Sequence, residues 1–189
     1  MIKTSIIAAT LVLLTLVVSP SGAEPRPEDP QCGAAVDGLR MCLASKDGAS
    51  LQLALMNVGD HDLTLNLGIM LGNSKVQLPD RVALKFTDAA GKTRVFKFGD
   101  PKHGFVAGRV DHYIVPLRVG STYTLQLTLD QFWCDETKEF SIPLLSGENY
   151  LTAQFEGTAP TEVNTGMSCV TLFNFWVGKV ESNSLTLRR

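Results

Sequence analysis

The sequence lacks an excess of charge of either sign, and it lacks a long hydrophobic run beyond its first 20 residues. Its 189 residues carry 17 basic and 19 acidic side chains, for a formal net charge of −2. This near-neutral balance excludes the basic surface expected of a general nucleic-acid-binding protein. No apolar stretch after residue 20 is long enough to span a bilayer, so we expect no membrane span once an N-terminal leader is removed.

The signatures of several enzyme classes are also missing. There is no Gly-x-Ser-x-Gly nucleophile motif, no His-Glu-x-x-His zinc motif, no phosphate-binding glycine loop and no Cys-x-x-Cys pair. The chain has only three histidines. We therefore interpret the protein as a non-enzyme that needs no cofactor. No run of twelve residues after the leader has the apolar period of a helix, which argues against a helical fold.

The N-terminus has the pattern of a signal peptide over residues 1–23. Lys3 provides a short basic start, residues 6–18 are almost wholly apolar, and small residues at 21–23 predict cleavage after Ala23. We expect a secreted protein, extracellular or, in a bacterium, periplasmic. Residues 24–35 are charged and proline-rich and predict a disordered segment. Residues 36–189 are expected to form a single domain.

Four cysteines remain after the predicted cleavage, and an even number in a secreted protein predicts two disulfides of about 2–4 kcal/mol each. Sequence alone allows three pairings. We favour Cys32–Cys42 with Cys134–Cys169, because each pair brackets a segment that can close locally. A metal site at these residues is disfavoured, since no histidine lies within a few residues of any cysteine.

Alternating apolar residues dominate the chain beyond residue 35, and this period of two is typical of strands. The main predicted strands are 51–55, 63–67, 82–86, 94–98, 125–129, 140–144 and 151–155, with further strands at 39–44, 113–118, 170–177 and 185–187. Turn-forming residues separate them every 10–15 residues. The pattern predicts an all-β, antiparallel β-sandwich of about nine to eleven strands, with a barrel as the alternative.

Three short segments resemble secreted immunoglobulin-like modules. In residues 53–60 a strand ends in an Asn-containing turn, in 115–121 a strand precedes a Gly-Ser turn, and in 146–150 a Gly-containing turn opens a late strand. The resemblance covers about residues 50–156. It implies an immunoglobulin-like sandwich and a non-catalytic accessory or interaction domain.

The densest ionisable cluster is Asp60-His61-Asp62, between two predicted strands. Two carboxylates beside an imidazole could hold a divalent metal, with His103 or His112 completing the site. A small metal-assisted hydrolase is therefore one functional hypothesis. The aspartates equally suit a turn, where they accept hydrogen bonds from backbone N–H groups. We favour the turn interpretation.

Aromatic residues offer a more suggestive pattern. Trp133 and Trp176 each lie next to phenylalanines in predicted strands, so either could form an exposed platform for an extracellular protein or glycan. The competing interpretation places both in the core. The turn-rich loop 99–109 carries one large apolar anchor, Phe105, which predicts an alternative function as an inhibitor of a secreted hydrolase. Our first expectation is a secreted, non-catalytic binding or interaction module of unknown ligand.

Overall fold

The computed structural model describes residues 32–72, 74–99, 109–159 and 174–188. Within these ranges the chain forms antiparallel strand ladders and one 3-10 turn, Leu129–Gln131, with no α-helix. The strands are β1 (Leu39–Ser45), β2 (Ser50–Asn57), β3 (Leu63–Leu71), β4 (Val76–Leu78), β5 (Val82–Thr87), β6 (Thr93–Phe98), β7 (Val110–Leu117), β8 (Thr122–Thr128), β9 (Phe132–Cys134), β10 (Glu139–Phe140), β11 (Glu148–Gly157) and β12 (Gly178–Arg188).

The all-β prediction is confirmed, but several strand predictions need correction. The described residues hold twelve strands, more than the expected nine to eleven, because β4 and β9, with three residues each, are too short for alternation to reveal them. The strand predicted over 140–144 ends at Phe140, since Ser141 has a positive φ of 76° and Pro143 has no backbone N–H. In its described part, the strand predicted over 170–177 contains only an isolated bridge at Phe175.

Two three-stranded sheets, β1-β2-β8 and β4-β3-β7, are halves of one long bent ribbon. Leu53 pairs with Leu125 in the first half, and Leu65 pairs with Val115 in the second. Strands β2 and β3 therefore follow one another along one side of the ribbon, and their partner strands β8 and β7 follow one another along the other side. Alternate leucines of β2 and β3 are buried, so hydrophobic alternation explains why these segments form strands with one face in the core.

The ribbon bends where the β2–β3 and β7–β8 turns meet. Asn57 is buried there, and its Nδ2 donates to the Leu117 carbonyl at 3.0 Å. The Asn57 backbone N–H donates to the Ser121 carbonyl, also at 3.0 Å. Asp62 Oδ1 accepts the Val119 N–H at 3.0 Å. These hydrogen bonds link the two turns. Side chains expected to stabilise one turn therefore stabilise a corner formed by two turns.

The remaining strands form a six-stranded sheet in the order β10-β9-β6-β5-β11-β12. Its buried side chains join those of both ribbon halves in one hydrophobic cluster, which includes Leu53, Leu65, Leu84 and Phe155. The largest fully buried side chains include Phe86, Phe96 and Phe132. Five strands of this sheet therefore keep one face in the core and turn the other face outward, whereas both residues of the edge strand β10 are exposed.

A bulge in β12 connects the six-stranded sheet to β1. The register of β11 against β12 shifts between Thr152 and Gln154, where Ser182 and Asn183 stand opposite a single residue. Bulges re-aim side chains, and here Asn183 reaches the neighbouring sheet. Its Oδ1 accepts the Leu43 N–H at 2.7 Å, and its Nδ2 donates to the Leu43 carbonyl at 3.0 Å. The side-chain amide of Asn183 therefore makes the two hydrogen bonds to Leu43 that the backbone of a neighbouring strand would otherwise make.

The predicted disulfide Cys32–Cys42 is present and attaches the segment before β1 to that strand. The predicted signal peptide, residues 1–23, lies outside the described residues, as does most of the proline-rich segment 24–35. Among the described residues, no helix has the length and apolar character needed to cross a membrane.

Candidate functional site

The outward face of the six-stranded sheet carries one row of side chains that crosses all six strands. Strand register places these residues side by side, so that each has a neighbour on the next strand. In order from β10 to β12 the row contains Phe140, Trp133, Lys97, Ala83, Gln154 and Glu181. The next register positions along the strands, among them Phe96 and Leu84, are buried. We call these six residues the cross-strand row.

The row begins with an aromatic pair at the sheet edge. The ring centroids of Trp133 and Phe140 lie 5.0 Å apart, with the planes tilted by 57°. Phe140 is 39% exposed and Trp133 is half-buried. Within the part of the chain that the structure describes, the pair therefore presents apolar ring surface to solvent near the edge of the sheet.

Asp135 holds the indole in place. The Trp133 Nε1–H donates to Asp135 Oδ1 at 3.1 Å, while Lys97 Nζ donates to Oδ2 of the same carboxylate at 2.8 Å. The hydrogen bonds from Lys97 and then from Trp133 lower the pKa of Asp135, and the same ion pair raises the pKa of Lys97. An exposed ion pair adds little stability, but this one orients the ring of Trp133.

A shallow groove of about 350 Å³ follows the aromatic pair along the row. Ala83 is the smallest side chain of the row, and it stands between the long side chains of Lys97 and Gln154. The groove exists because this central strand position has only a methyl group. Its full lining is Asp80, Arg81, Ala83, Lys97, Gln154, Glu156 and Lys179.

The groove contains hydrogen-bonding groups of both kinds and charges of both signs. Gln154 donates from Nε2 to the Glu181 carboxylate, which fixes the amide at the far wall. Arg81 Nε is buried and has no hydrogen-bond partner in the part of the chain that the structure describes. A buried donor without a partner costs free energy unless water or a ligand accepts a hydrogen bond from it. The arrangement can bind a polar molecule, and its lining includes Asp80, whose pKa is raised by burial.

The Asp60-His61-Asp62 cluster lies at the corner of the ribbon, and none of its residues lines the groove. His61 Nδ1 lies 2.8 Å from Asp60 Oδ1, and both side chains are largely exposed. The hydrogen bond from His61 lowers the pKa of Asp60. Asp62 is occupied by the Val119 N–H. The structure thus shows these residues in turn contacts, as the favoured interpretation expects.

His112, one of the two histidines proposed as further metal ligands, lies away from that cluster. His112 pairs with Ile69, six positions along β3 from Leu63, which follows the corner turn. At about 3.3 Å per residue, that separates His112 from the corner by roughly 20 Å. Among the described residues, no three His, Cys, Asp or Glu side chains are grouped to hold a metal ion. His103 lies outside the described residues.

Trp176, the second candidate of the aromatic platform, lies in the core and not on the surface. It is 3% exposed, and its ring stacks on Phe155 with centroids 5.6 Å apart. Its Nε1–H donates to the Val36 carbonyl at 3.2 Å. Gly157 leaves the space that the ring occupies. The core interpretation therefore describes Trp176 and the platform alternative does not, because a glycine opposite allows the large ring to be buried.

The inhibitor loop 99–109 is described only at its two ends. Gly99 lies beside the aromatic pair, where an added methyl would contact the Phe140 ring at 3.5 Å. Arg109 forms an ion pair with Asp111 at 2.7 Å. Phe105 lies outside the described residues, so the inhibitor hypothesis stays a prediction.

The second predicted disulfide also stays a prediction. Cys134 is buried with a free thiol, and its expected partner Cys169 lies outside the described residues. Burial raises the pKa of Cys134, but hydrogen bonds from Thr137 and from the Glu136 backbone outweigh it and lower the pKa overall.

Most of the cross-strand row escapes sequence reasoning. Trp133 is the one member chosen from sequence, whereas Phe140 is predicted only as part of a strand by its alternation with Ile142 and Leu144. Lys97, Ala83 and Gln154 look like ordinary outward strand positions. Neighbouring strands pair within β5–β6 and within β9–β10, but the pairing of β6 with β9 and of β5 with β11, which are far apart in sequence, joins all these residues into one row.

No model of a known protein family matches the chain, and no curated protein is significantly similar to it. The functional argument therefore depends on the geometry of the described residues.

Proposed function

We propose that the protein is a secreted, non-catalytic binding module that holds an extracellular ligand on the exposed face of its six-stranded sheet. The signal-peptide pattern of residues 1–23 and the Cys32–Cys42 disulfide support an oxidising, extracytoplasmic compartment. We further propose that the fold is an immunoglobulin-like sandwich. The six-stranded sheet and the bent ribbon share one core, which supports two packed layers.

The aromatic pair is the observation that carries the proposal. Large apolar rings that stay exposed beside a groove are unfavourable in a protein that binds nothing, and tryptophan is enriched at binding hot spots. Trp133 is also oriented by Asp135 before any ligand arrives. A side chain already held in one rotamer loses less entropy on binding. Exposure together with preorganisation favours a recognition role.

Two carboxylates of this face, Asp135 and Glu181, support binding over catalysis, whereas burial raises the pKa of Asp80 in the groove lining. A general acid that works near neutral pH needs a raised pKa, whereas the hydrogen bonds of Lys97 and Trp133 lower the pKa of Asp135. Glu181 is engaged by Gln154. These charges serve to orient neighbouring side chains.

Immobilised protein tests the proposal against a glycan array and against extracellular proteins from the producing cells. We expect a ligand that the wild type retains and that Trp133→Ala and Phe140→Ala lose by at least about tenfold in affinity. Val110→Ala is the matched control, because Val110 is 57% exposed on β7, away from the six-stranded sheet. Equal binding by wild type and both aromatic variants would contradict the proposed face.

A further inference from the structure

We infer that the ligand of the proposed binding face is an uncharged oligosaccharide, which lies across the strands along the cross-strand row. One sugar ring would pack against the Trp133–Phe140 pair, and the following part of the chain would fill the groove over Ala83. The inference depends on the proposed binding function and adds the chemical class of the ligand.

The shape of the site suits an extended chain. From Trp133 on β9 to Gln154 on β11 the row crosses three strand spacings, which is about 14 Å at roughly 4.8 Å per spacing. Aromatic surface lies at one end and a polar groove follows in the same line. A single sugar ring could not touch both ends, whereas a short oligosaccharide could.

The chemistry of the row matches the two kinds of surface that a sugar has. The C–H groups of a sugar ring form an apolar face that packs on an aromatic ring, while its hydroxyls both donate and accept hydrogen bonds. The row provides ring surface at Trp133, the amide of Gln154, the ammonium of Lys97 and the carboxylate of Glu156 at the groove. A ligand with only acceptors or only donors would leave part of this set unsatisfied.

The charges around the groove favour a neutral ligand. Lys97 is neutralised by Asp135 at 2.8 Å. Glu156 and Lys179 are register partners on neighbouring strands, and Asp80 directly precedes Arg81. Each cation thus has a carboxylate nearby, so the groove has no excess of positive charge to attract a uronic acid or a sulfated sugar.

Arg81 is a half-buried residue of the groove lining, and its guanidinium provides N–H donors that suit the acceptor oxygen of a sugar hydroxyl. A protein partner is less well suited, because stable protein interfaces bury about 800 Å² on each side around an apolar centre, and the apolar part of this row is confined to one edge.

Calorimetric titration of the purified protein tests the inference. The titrants are neutral oligosaccharides of glucose, mannose, galactose and N-acetylglucosamine, with uronic-acid and sulfated oligosaccharides as the anionic arm. We expect at least one neutral series to bind, with affinity that rises from one ring to three and changes little between low and high salt. Ala83→Gln should abolish this binding by filling the groove, and Phe140→Ala should weaken it about tenfold.

Val95→Gln is the matched control, because Val95 is 46% exposed on the same face of β6 but outside the groove. It should bind like the wild type, and thermal melting should show all variants folded. The inference is overturned if no neutral oligosaccharide binds, or if only anionic sugars bind with a steep salt dependence. If a protein is retained through Trp133 and no sugar binds, the binding function stands and the carbohydrate inference fails. If nothing depends on Trp133, both fail.

Discussion

The two tryptophans occupy opposite kinds of environment. Trp176 is 3% exposed, lies nearly parallel to Phe155 at an interplanar angle of 22°, and donates to a backbone carbonyl. Trp133 is half-buried, meets Phe140 at 57°, and donates to an exposed carboxylate. One ring closes the core, and the other remains available at the sheet edge. The same residue type therefore has two roles, decided by what lies opposite.

Two glycines show how the packing around the two tryptophans differs. An added Cβ at Gly157 would lie 2.6 Å from the Trp176 carbonyl and would overlap its ring. An added Cβ at Gly99 would meet Phe140 at 3.5 Å, an ordinary packing distance. The space around Trp176 therefore does not admit an added methyl group at Gly157, whereas the region beside Trp133 admits one at Gly99. Three experiments can break or sharpen this comparison.

The largest expected effect is that of Trp176→Ala. Removal of a buried tryptophan leaves a cavity, and we expect a loss of about 3–5 kcal/mol in the free energy of unfolding. Trp133→Ala should cost only about 1 kcal/mol, because the ring is partly hydrated and loses one aromatic contact. Urea denaturation followed by circular dichroism measures both. Equal losses would show that the two environments do not differ as described.

A smaller effect is expected from the glycines. Gly157→Ala forces the ring or the backbone of Trp176 to shift and should destabilise the protein by about 1–3 kcal/mol. Gly99→Ala is its matched counterpart beside Trp133 and should change stability by less than about 0.5 kcal/mol. Thermal melting of the two variants under one condition gives the difference. A neutral Gly157→Ala would mean that the space around Trp176 is not tight.

The smallest effect concerns the acid titration of Asp135. Its pKa in the folded protein lies below the ordinary value of 3.8, chiefly through the Lys97 hydrogen bond. A lowered folded pKa stabilises the protein above the unfolded pKa, and this contribution is lost as the pH falls below about 3.8. In Lys97→Gln the pKa of Asp135 should rise toward its ordinary value.

Carboxyl NMR titration of wild type and Lys97→Gln measures that shift directly. The Trp133 indole resonance should follow the same titration in the wild type, because Nε1–H donates to the same carboxylate. Trp176 is the internal control, since its Nε1–H donates to a carbonyl that does not titrate. An unshifted Asp135 in Lys97→Gln would remove the argument that this ion pair orients the indole.

Much of the strand content can be predicted from sequence, and the exceptions have identifiable causes. Alternating leucines in β2 and β3 reveal those strands because one face is buried and the other is not. β12 spans Gly178–Arg188, yet only 185–187 is predicted, because the bulge at Ser182 and Asn183 interrupts its alternation. A bulge is stabilised by its partner strand, so local sequence cannot show it.

The candidate site, like the strands, can be predicted from the sequence only in part. Sequence reasoning finds Trp133 as an aromatic residue in a strand, and it describes Asp60 and Asp62 as turn residues. It predicts Phe140 as part of a strand over 140–144, but the sheet ends at β10 and leaves that ring 39% exposed. Whether an outward side chain is covered depends on the next strand, which is not encoded near it in the chain.

The amino-acid sequence by itself determined the strand-forming alternation and the turn positions, because each is a property of neighbouring residues, whereas it left three pairings of the four cysteines open. Tertiary structure alone decided which tryptophan is buried, where the ribbon bends, and that Trp133, Lys97, Ala83 and Gln154 stand in one row. The physical reason is that register and burial are set by contacts between strands distant in the chain. The proposed binding face is a product of that register.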